Sequence, residues 1–213
     1  LAFLLNLVVT DDLFYSYEET KSIMFTLSNA GIWLGLLNSI QEICKEKVIL
    51  HKEYMADMRL SAYILSKVIY LIIVGLIQSL LLVGTFSLLV GNVPELGLTL
   101  NWIVEVIVIV FITTFTSSAM GLVVSAFSKD SSFAMTMPTL LIIPQMLFSG
   151  ILFPLGGIVD KLSNLTICRW SVEALGTVND LNSLVSDIQE AIPGYVRGVE
   201  SFFEYTLNHL THD

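Results

Sequence analysis

An all-α, multi-pass membrane protein is the fold class this sequence predicts, and three observations predict it. Of the 213 residues, 54% are hydrophobic and 14% charged, with a mean hydropathy of +0.78, too apolar for a water-soluble domain of this size. The apolar residues come in blocks rather than stripes, and several blocks reach the roughly 20 residues that cross a hydrocarbon layer of about 30 Å. One block, Ser131 to Pro154, contains Pro138 and Pro144. The carbonyls those prolines leave without N–H partners need neighbouring helices or water, so this helix is expected to line an interior.

Taken in order, Leu1–Val9 is too short for a span and has no basic stretch before it, as a signal peptide would require. It is read as the end of a helix that starts before Leu1. Complete spans are expected near 23–40, 62–90, 102–127 and 133–153. No linker, low-complexity segment or internal repeat divides the chain, so residues 1–213 read as one membrane domain, with 154–213 forming an outer loop region.

Six of the ten Lys and Arg residues, Lys45, Lys47, Lys52, Arg59, Lys67 and Lys129, fall on the side of loops 41–61 and 128–132. Acids such as Asp11, Asp12, Glu18, Glu19, Glu95, Asp160, Glu173 and Asp180 dominate the other side. By the positive-inside rule the basic loops are cytoplasmic, which places the protein in the cell membrane with Cys44 and Cys168 on opposite sides. A bridge between two copies of Cys168 stays open at this point. The net charge of −9 argues against nucleic acid as a partner.

The segment 41–59 differs from every other loop. Ile43, Lys47, Leu50, Tyr54 and Met58 trace an approximate helical stripe, bordered by Glu42, Lys45, Glu46, Lys52, Glu53 and Asp57, as in a short amphipathic helix on a membrane surface. Glu42 with Glu46, and Lys45 with Lys52, would leave charges of both signs free for a partner. A plain connecting helix is the other reading.

Four segments carry a family resemblance: Lys52-Glu-Tyr with Arg59-Leu-Ser-Ala-Tyr-Ile-Leu-Ser-Lys67, then Phe115-Thr-Ser-Ser-Ala-Met-Gly-Leu122, Phe148-Ser-Gly-Ile-Leu-Phe153 and Cys168-Arg-Trp-Ser-Val-Glu-Ala-Leu175. In this order they resemble the transmembrane domain of ABCG-type ATP-binding cassette exporters. The resemblance implies a six-helix domain, here represented by the tail of the first helix, four whole helices and the outer approach to an absent sixth. It implies a second transmembrane domain, as a homo- or heterodimer, and an ATPase domain in cis or in trans that holds ATP and Mg. No G-x-x-x-x-G-K-[ST] phosphate loop occurs in these residues, so this segment itself is expected to bind no cofactor and to carry no catalytic or metal site. The resemblance further implies that Glu42, Lys45, Glu46, Lys52, Glu53 and Arg59 couple the ATPase to the spans, in an alternating-access export cycle.

For the substrate path, Thr139, Ile142, Ile143, Met146 and Gly150 recur at helical spacing on the proline-containing helix. The resemblance places this face on a central cavity, with Gly150, Ile151 and Leu152 at an outer gate. Asn29 and Trp33 on the first complete span are further candidates. Such a cavity suits a lipidic or amphipathic substrate in contact with membrane lipid; ordinary helix packing is the competing reading.

Gly31 and Gly35 form a G-x-x-x-G that permits close helix approach, at a dimer contact or within the bundle. Glu105, just inside its span, is placed to reach water at the surface. Asn164-Leu-Thr166 matches a glycosylation sequon, and His209, His212 and Asp213 fall short of a metal ligand set. The alternative classes are an intramembrane enzyme and a passive channel or scaffold subunit. The former needs converging polar groups that the expected spans lack, and the latter leaves the charged cytoplasmic helix without a purpose.

Overall fold

The structure, a computed structural model, describes residues 17–55, 59–90, 97, 101–151 and 157–181. The described residues form seven helices: α1 (Tyr17–Ser39), α2 (Glu42–Met55), α3 (Leu60–Val90), α4 (Trp102–Phe127), α5 (Ser131–Leu147), α6 (Ile158–Ser163) and α7 (Ile167–Val178). Three of the helices are long and apolar enough to cross a membrane, and α5 is a shorter apolar helix. These fit an all-α membrane fold. The residues 1–9 and 182–213 discussed above, including His209, His212 and Asp213, lie outside the described residues.

Local chemistry explains most boundaries. α1 starts at Tyr17 with Glu18 and Glu19 in its first turn, where carboxylates favour the positive end of the helix dipole. Asn101 caps α4, its side chain accepting from the Ile103 N–H at 3.0 Å, and Asp130 caps α5 by accepting from Phe133 N at 2.7 Å, as side-chain oxygens at N-caps do. α3, with 31 residues, is roughly 46 Å long at 1.5 Å per residue. Its apolar side chains point in every direction, and Leu65, Ile69, Ile73, Ile77 and Leu81 are exposed, the expected surface of a helix against lipid.

The proline-containing helix departs from the sequence expectation of 133–153. It stops at Leu147. Ser149 Oγ donates to the Met146 carbonyl at 2.7 Å and Gly150 takes φ +80°, a left-handed conformation open to glycine. The region expected as outer loop contains two short helices, of which α7 returns into the bundle.

Two long helices run side by side in the same direction. Gly31 of α1 faces Thr113 and Thr114 of α4, Gly35 faces Ser117 and Ser118, and Ser39 faces Gly121. A β-carbon on Gly35 would stand 2.9 Å from Ser117 Cβ and 3.0 Å from Ser118 N, so only glycine fits this approach. Ser117 Oγ donates to Ile32 O at 2.7 Å and Ser118 Oγ to Gly35 O at 3.2 Å. The G-x-x-x-G of α1 thus serves a contact within the bundle, and its receiving surface is a stripe of small hydroxyl residues on α4.

The core forms two clusters. One joins Ile23, Met24 and Leu27 of α1, Val83 and Phe86 of α3, Trp102 and Val106 of α4 and Leu175 of α7. The other joins Ile32 and Leu36 of α1, Ile142 of α5, and Cys168 and Val172 of α7.

Candidate functional site

At one end of the bundle, α2 is fastened to two long helices. Its first turn has free N–H groups, and Ser125 of α4 takes two of them: Ser125 Oγ accepts from Ile43 N at 3.1 Å and Cys44 N at 2.9 Å. In return, Lys47 Nζ donates to the Ser128 carbonyl at the end of α4 at 2.5 Å. The end of α4 thus satisfies N–H groups of α2, Lys47 of α2 satisfies a carbonyl at the end of α4, and a cation at a helix C-terminus is also favoured by the dipole.

The second fastening is ionic. Lys67 of α3 lies 2.9 Å from Glu42 Oε2 and 2.8 Å from Glu46 Oε1, and Tyr63 OH donates to Glu46 Oε2 at 2.7 Å. The hydrogen bond from Lys67, followed by that from Tyr63, holds Glu46 below the ordinary carboxylate range against the opposing effect of burial. Glu42 and Glu46 are therefore not free charges awaiting a partner, as their sequence pattern suggests. Lys67 lies over both carboxylates. Lys45, Lys52 and Arg59 are exposed. The side chains of Glu53 and Tyr54, and Met58, lie outside the described residues.

Ile142 departs from the path face expected of the proline-containing helix. Ala134, Pro138, Ile142 and Gln145 are buried, at intervals of four, four and three that follow one side of a helix. Ile142 is 2% exposed and packs with Ile32, Leu36, Cys168 and Val172. It is a core residue and does not belong to an open face with Ile143, which is 51% exposed. Thr139 is exposed as well, and Met146 is half-buried against the same cluster as Ile142. The adjacent positions 142 and 143 stand about 100° apart on a helix of 3.6 residues per turn, so one goes to the core and the other to the surface. Asn29 is buried; its Nδ2 donates to Phe25 O at 2.9 Å while its Oδ1 has no hydrogen-bond partner. Trp33 is 37% exposed.

At the opposite end, Gly150 and Ile151 line a cavity of about 890 Å³ together with Lys21, Asp160, Arg169 and Glu173; Leu152 and Phe153 lie outside the described residues. Arg169 bonds Asp160 at 2.6 Å and Glu173 at 3.0 Å, and these carboxylates raise its pKa further above the ordinary guanidinium value. Cys168 is fully buried, which removes the sulfur from any bridge to a second copy. Glu105 sits in the first turn of α4, on the favourable side of that helix dipole.

Three groups of functional interest escape the sequence reading. The hydroxyls of Ser28, Ser171 and Thr113 form a buried chain at 2.9 and 2.8 Å, tying α1, α7 and α4. Asn179 Oδ1 accepts from Trp102 Nε1 at 2.8 Å. Gln145 Oε1 accepts from Ile167 N at 2.8 Å and Cys168 N at 3.2 Å, capping α7 from α5. The T-T-x-x-S-S-x-x-G spacing of α4 and a glutamine directly after a proline are the signals that were there to find.

Comparison with known proteins places this geometry. The family model described as ABC-2 type transporter, a membrane domain, matches residues 2–176. The ABC transporter ATP-binding/permease protein of Mycobacterium tuberculosis is 26% identical over 202 residues, covering 90% of this chain and 22% of that protein. The chain thus spans about a fifth of the length of this curated relative. No solved structure matches.

Proposed function

The chain belongs to the ABC-2 type transporter family, as a multi-pass membrane permease domain of the cell membrane, and from this premise we propose that it forms the path of an ATP-driven exporter. An ATP-binding domain, in cis or in trans, hydrolyses ATP, and a second transmembrane domain completes the path. The basic loops around α2 and 128–130 face the cytoplasm.

The observation that carries this reading is the double attachment of α2. Through Ser125 and Lys47 it holds the end of α4, and through Glu42 and Glu46 it holds the start of α3. A push on α2 therefore reaches two spans, and through the α1–α4 seam a third. Lys45, Lys52, Glu53 and Arg59 are the groups assigned to meet the ATP-binding domain, with Glu42 and Glu46 passing its movement onward. Because ligands shift an equilibrium only by their differential affinity for its two states, ATP must favour the outward-open one for export to have direction.

The substrate face is formed by Thr139, Ile143 and Met146 of α5 with Asn29 and Trp33 of α1, and Gly150, Ile151 and Leu152 close its outer end. The apolar lining with few polar groups suits a lipidic or amphipathic molecule. The test uses inside-out vesicles holding the permease with its ATP-binding domain and a fluorescent amphiphile. ATP-dependent uptake that disappears in Glu42→Lys/Glu46→Lys, at equal membrane insertion, is the expected result. Uptake at the unsubstituted rate in that variant would remove the Glu42–Glu46–Lys67 attachment from the mechanism.

A further inference from the structure

α7 begins inside the bundle rather than at its edge. Ser171 meets Thr113, and Asn179 meets Trp102, so α7 runs antiparallel to α4. Thr113 stands roughly 16 Å along α4 from Trp102 at 1.5 Å per residue, and Ile167 lies about one further turn of α7 beyond Ser171. The first N–H groups of a helix have no partner of their own, and with Cys168 fully buried its N–H needs an acceptor from the protein. Thr166, at the N-cap position, makes no side-chain cap bond; its hydroxyl bonds Ser163 O at 2.7 Å. Gln145 supplies the acceptor from another helix.

The last turn of α5, which contains Gln145, has one main-chain hydrogen bond fewer than a regular helix. Pro144 has no N–H to give the Leu140 carbonyl, and the helix ends at Leu147. Beyond the proline, contacts to the hairpin of α6 and α7 accumulate. Gln145 Oε1 takes two N–H groups, Thr166 Oγ1 reaches Phe148 O at 3.4 Å, and Ile151 and Ile167 pack on the cluster built around Ile142 and Cys168.

We propose that Gln145 is a positioning residue for transport: it locks α7 to the end of α5, so that the Gly150–Ile151 turn and α7 move as one body when the outer side opens. Moving α5 alone would strip both α7 N–H groups of their acceptor. The outer gate is then a joint movement of the residues after Pro144 with α7, pivoting where Pro138 and Pro144 interrupt the α5 ladder. This inference rests on the export reading above.

The experiment places spin labels at Leu147 and Leu165, both exposed (42% and 80%), and a second pair at Val108 and Leu165, in the permease reconstituted with its ATP-binding domain. Distances are read nucleotide-free and with ATP trapped. The 147–165 distance should stay constant between states while the 108–165 distance changes. Gln145→Leu should make the 147–165 distance broad and state-dependent and lower transport per ATP by about ten-fold. Gln145→Glu, which keeps an acceptor oxygen at the same reach, should restore both. A 147–165 distance that changes in the unsubstituted protein overturns the proposal without recourse to any variant, as does a Gln145→Leu protein in which it stays fixed. If neither pair responds to ATP, alternating access itself fails, and the proposal falls with it.

Discussion

Gly35 of α1 and Ser118 of α4 are joined backbone to side chain: Ser118 Oγ donates to the Gly35 carbonyl at 3.2 Å, and the Ser118 nitrogen would lie 3.0 Å from any β-carbon added to Gly35. The two helices meet on their main chains at this level. No flexible side chain stands between them to absorb extra volume.

Gly35→Ala should therefore force the seam apart and destabilise the domain by about 1–3 kcal/mol, as overpacking does. Gly84→Ala is the control, since nothing lies within 4 Å of the added carbon, and a gain of about 0.5–1 kcal/mol from helix propensity is expected there. Thermal unfolding in detergent, followed by tryptophan fluorescence, ranks the two. Equal melting of Gly35→Ala and the unsubstituted protein would contradict the packing described.

Ile142 and Ile143 separate folding from binding. Ile142→Ala empties a core position and should cost about 2–4 kcal/mol of stability. Ile143→Ala removes a 51% exposed side chain and should leave melting unchanged, yet weaken amphiphile-stimulated ATP hydrolysis several-fold. The reverse pattern would mean that α5 presents its other side to the path.

The bounds of α4 and, to within two residues, the start of α5 were legible in the sequence as the edges of apolar blocks. The end of α5 was not, since the Ser149–Gly150 turn lies within an apolar run whose hydropathy does not change there. Lys67 and Glu46, 21 residues apart, pair across a chain reversal that no local pattern encodes. The amphipathic character of 41–59 was readable, but which of its charges remain available was not. Gln145 illustrates the same limit: its residue type is visible in the sequence, while the helix it caps is known only once α7 has folded back.

Lys67→Met should leave Glu42 and Glu46 without their cation. Half-exposed ion pairs contribute about 0–1 kcal/mol, so melting should change little. Transport per ATP should fall several-fold, because α2 then pulls on α3 without a fixed attachment. The exchange Lys67→Glu with Glu46→Lys should recover part of it. Unchanged coupling in Lys67→Met would show that the attachment through Ser125 suffices.

The pH dependence of this contact follows from the lowered pKa of Glu46. A carboxylate with a depressed folded-state pKa contributes stability that is complete above its ordinary value and is lost as pH falls through the lowered one. The ordinary value is 4.5, so the attachment should hold from neutral pH to about 4.5 and loosen below it. A spin label at Lys45 reports the mobility of α2, and Glu46→Gln should abolish the acid step. Loosening that is already complete above 4.5 would assign the transition to another group.

Topology has its own check. Cysteines at Lys129 and Lys45 should react with an impermeant thiol reagent only after permeabilisation, and one at Gly157 should react from outside. Outside labelling at Lys129 would invert the orientation.

The parallel seam between α1 and α4 also sets a timetable for synthesis. Gly35 and Ser118 are 83 residues apart, an interval that takes a ribosome roughly 4–17 s at about 5–20 residues per second. Throughout that interval α1 resides in the bilayer with its glycine groove presented to lipid, and α3 is made and inserted before the groove is filled. α4 is the helix whose arrival fills the groove, and any partner that could occupy it sooner competes with α4 while the chain is still being made.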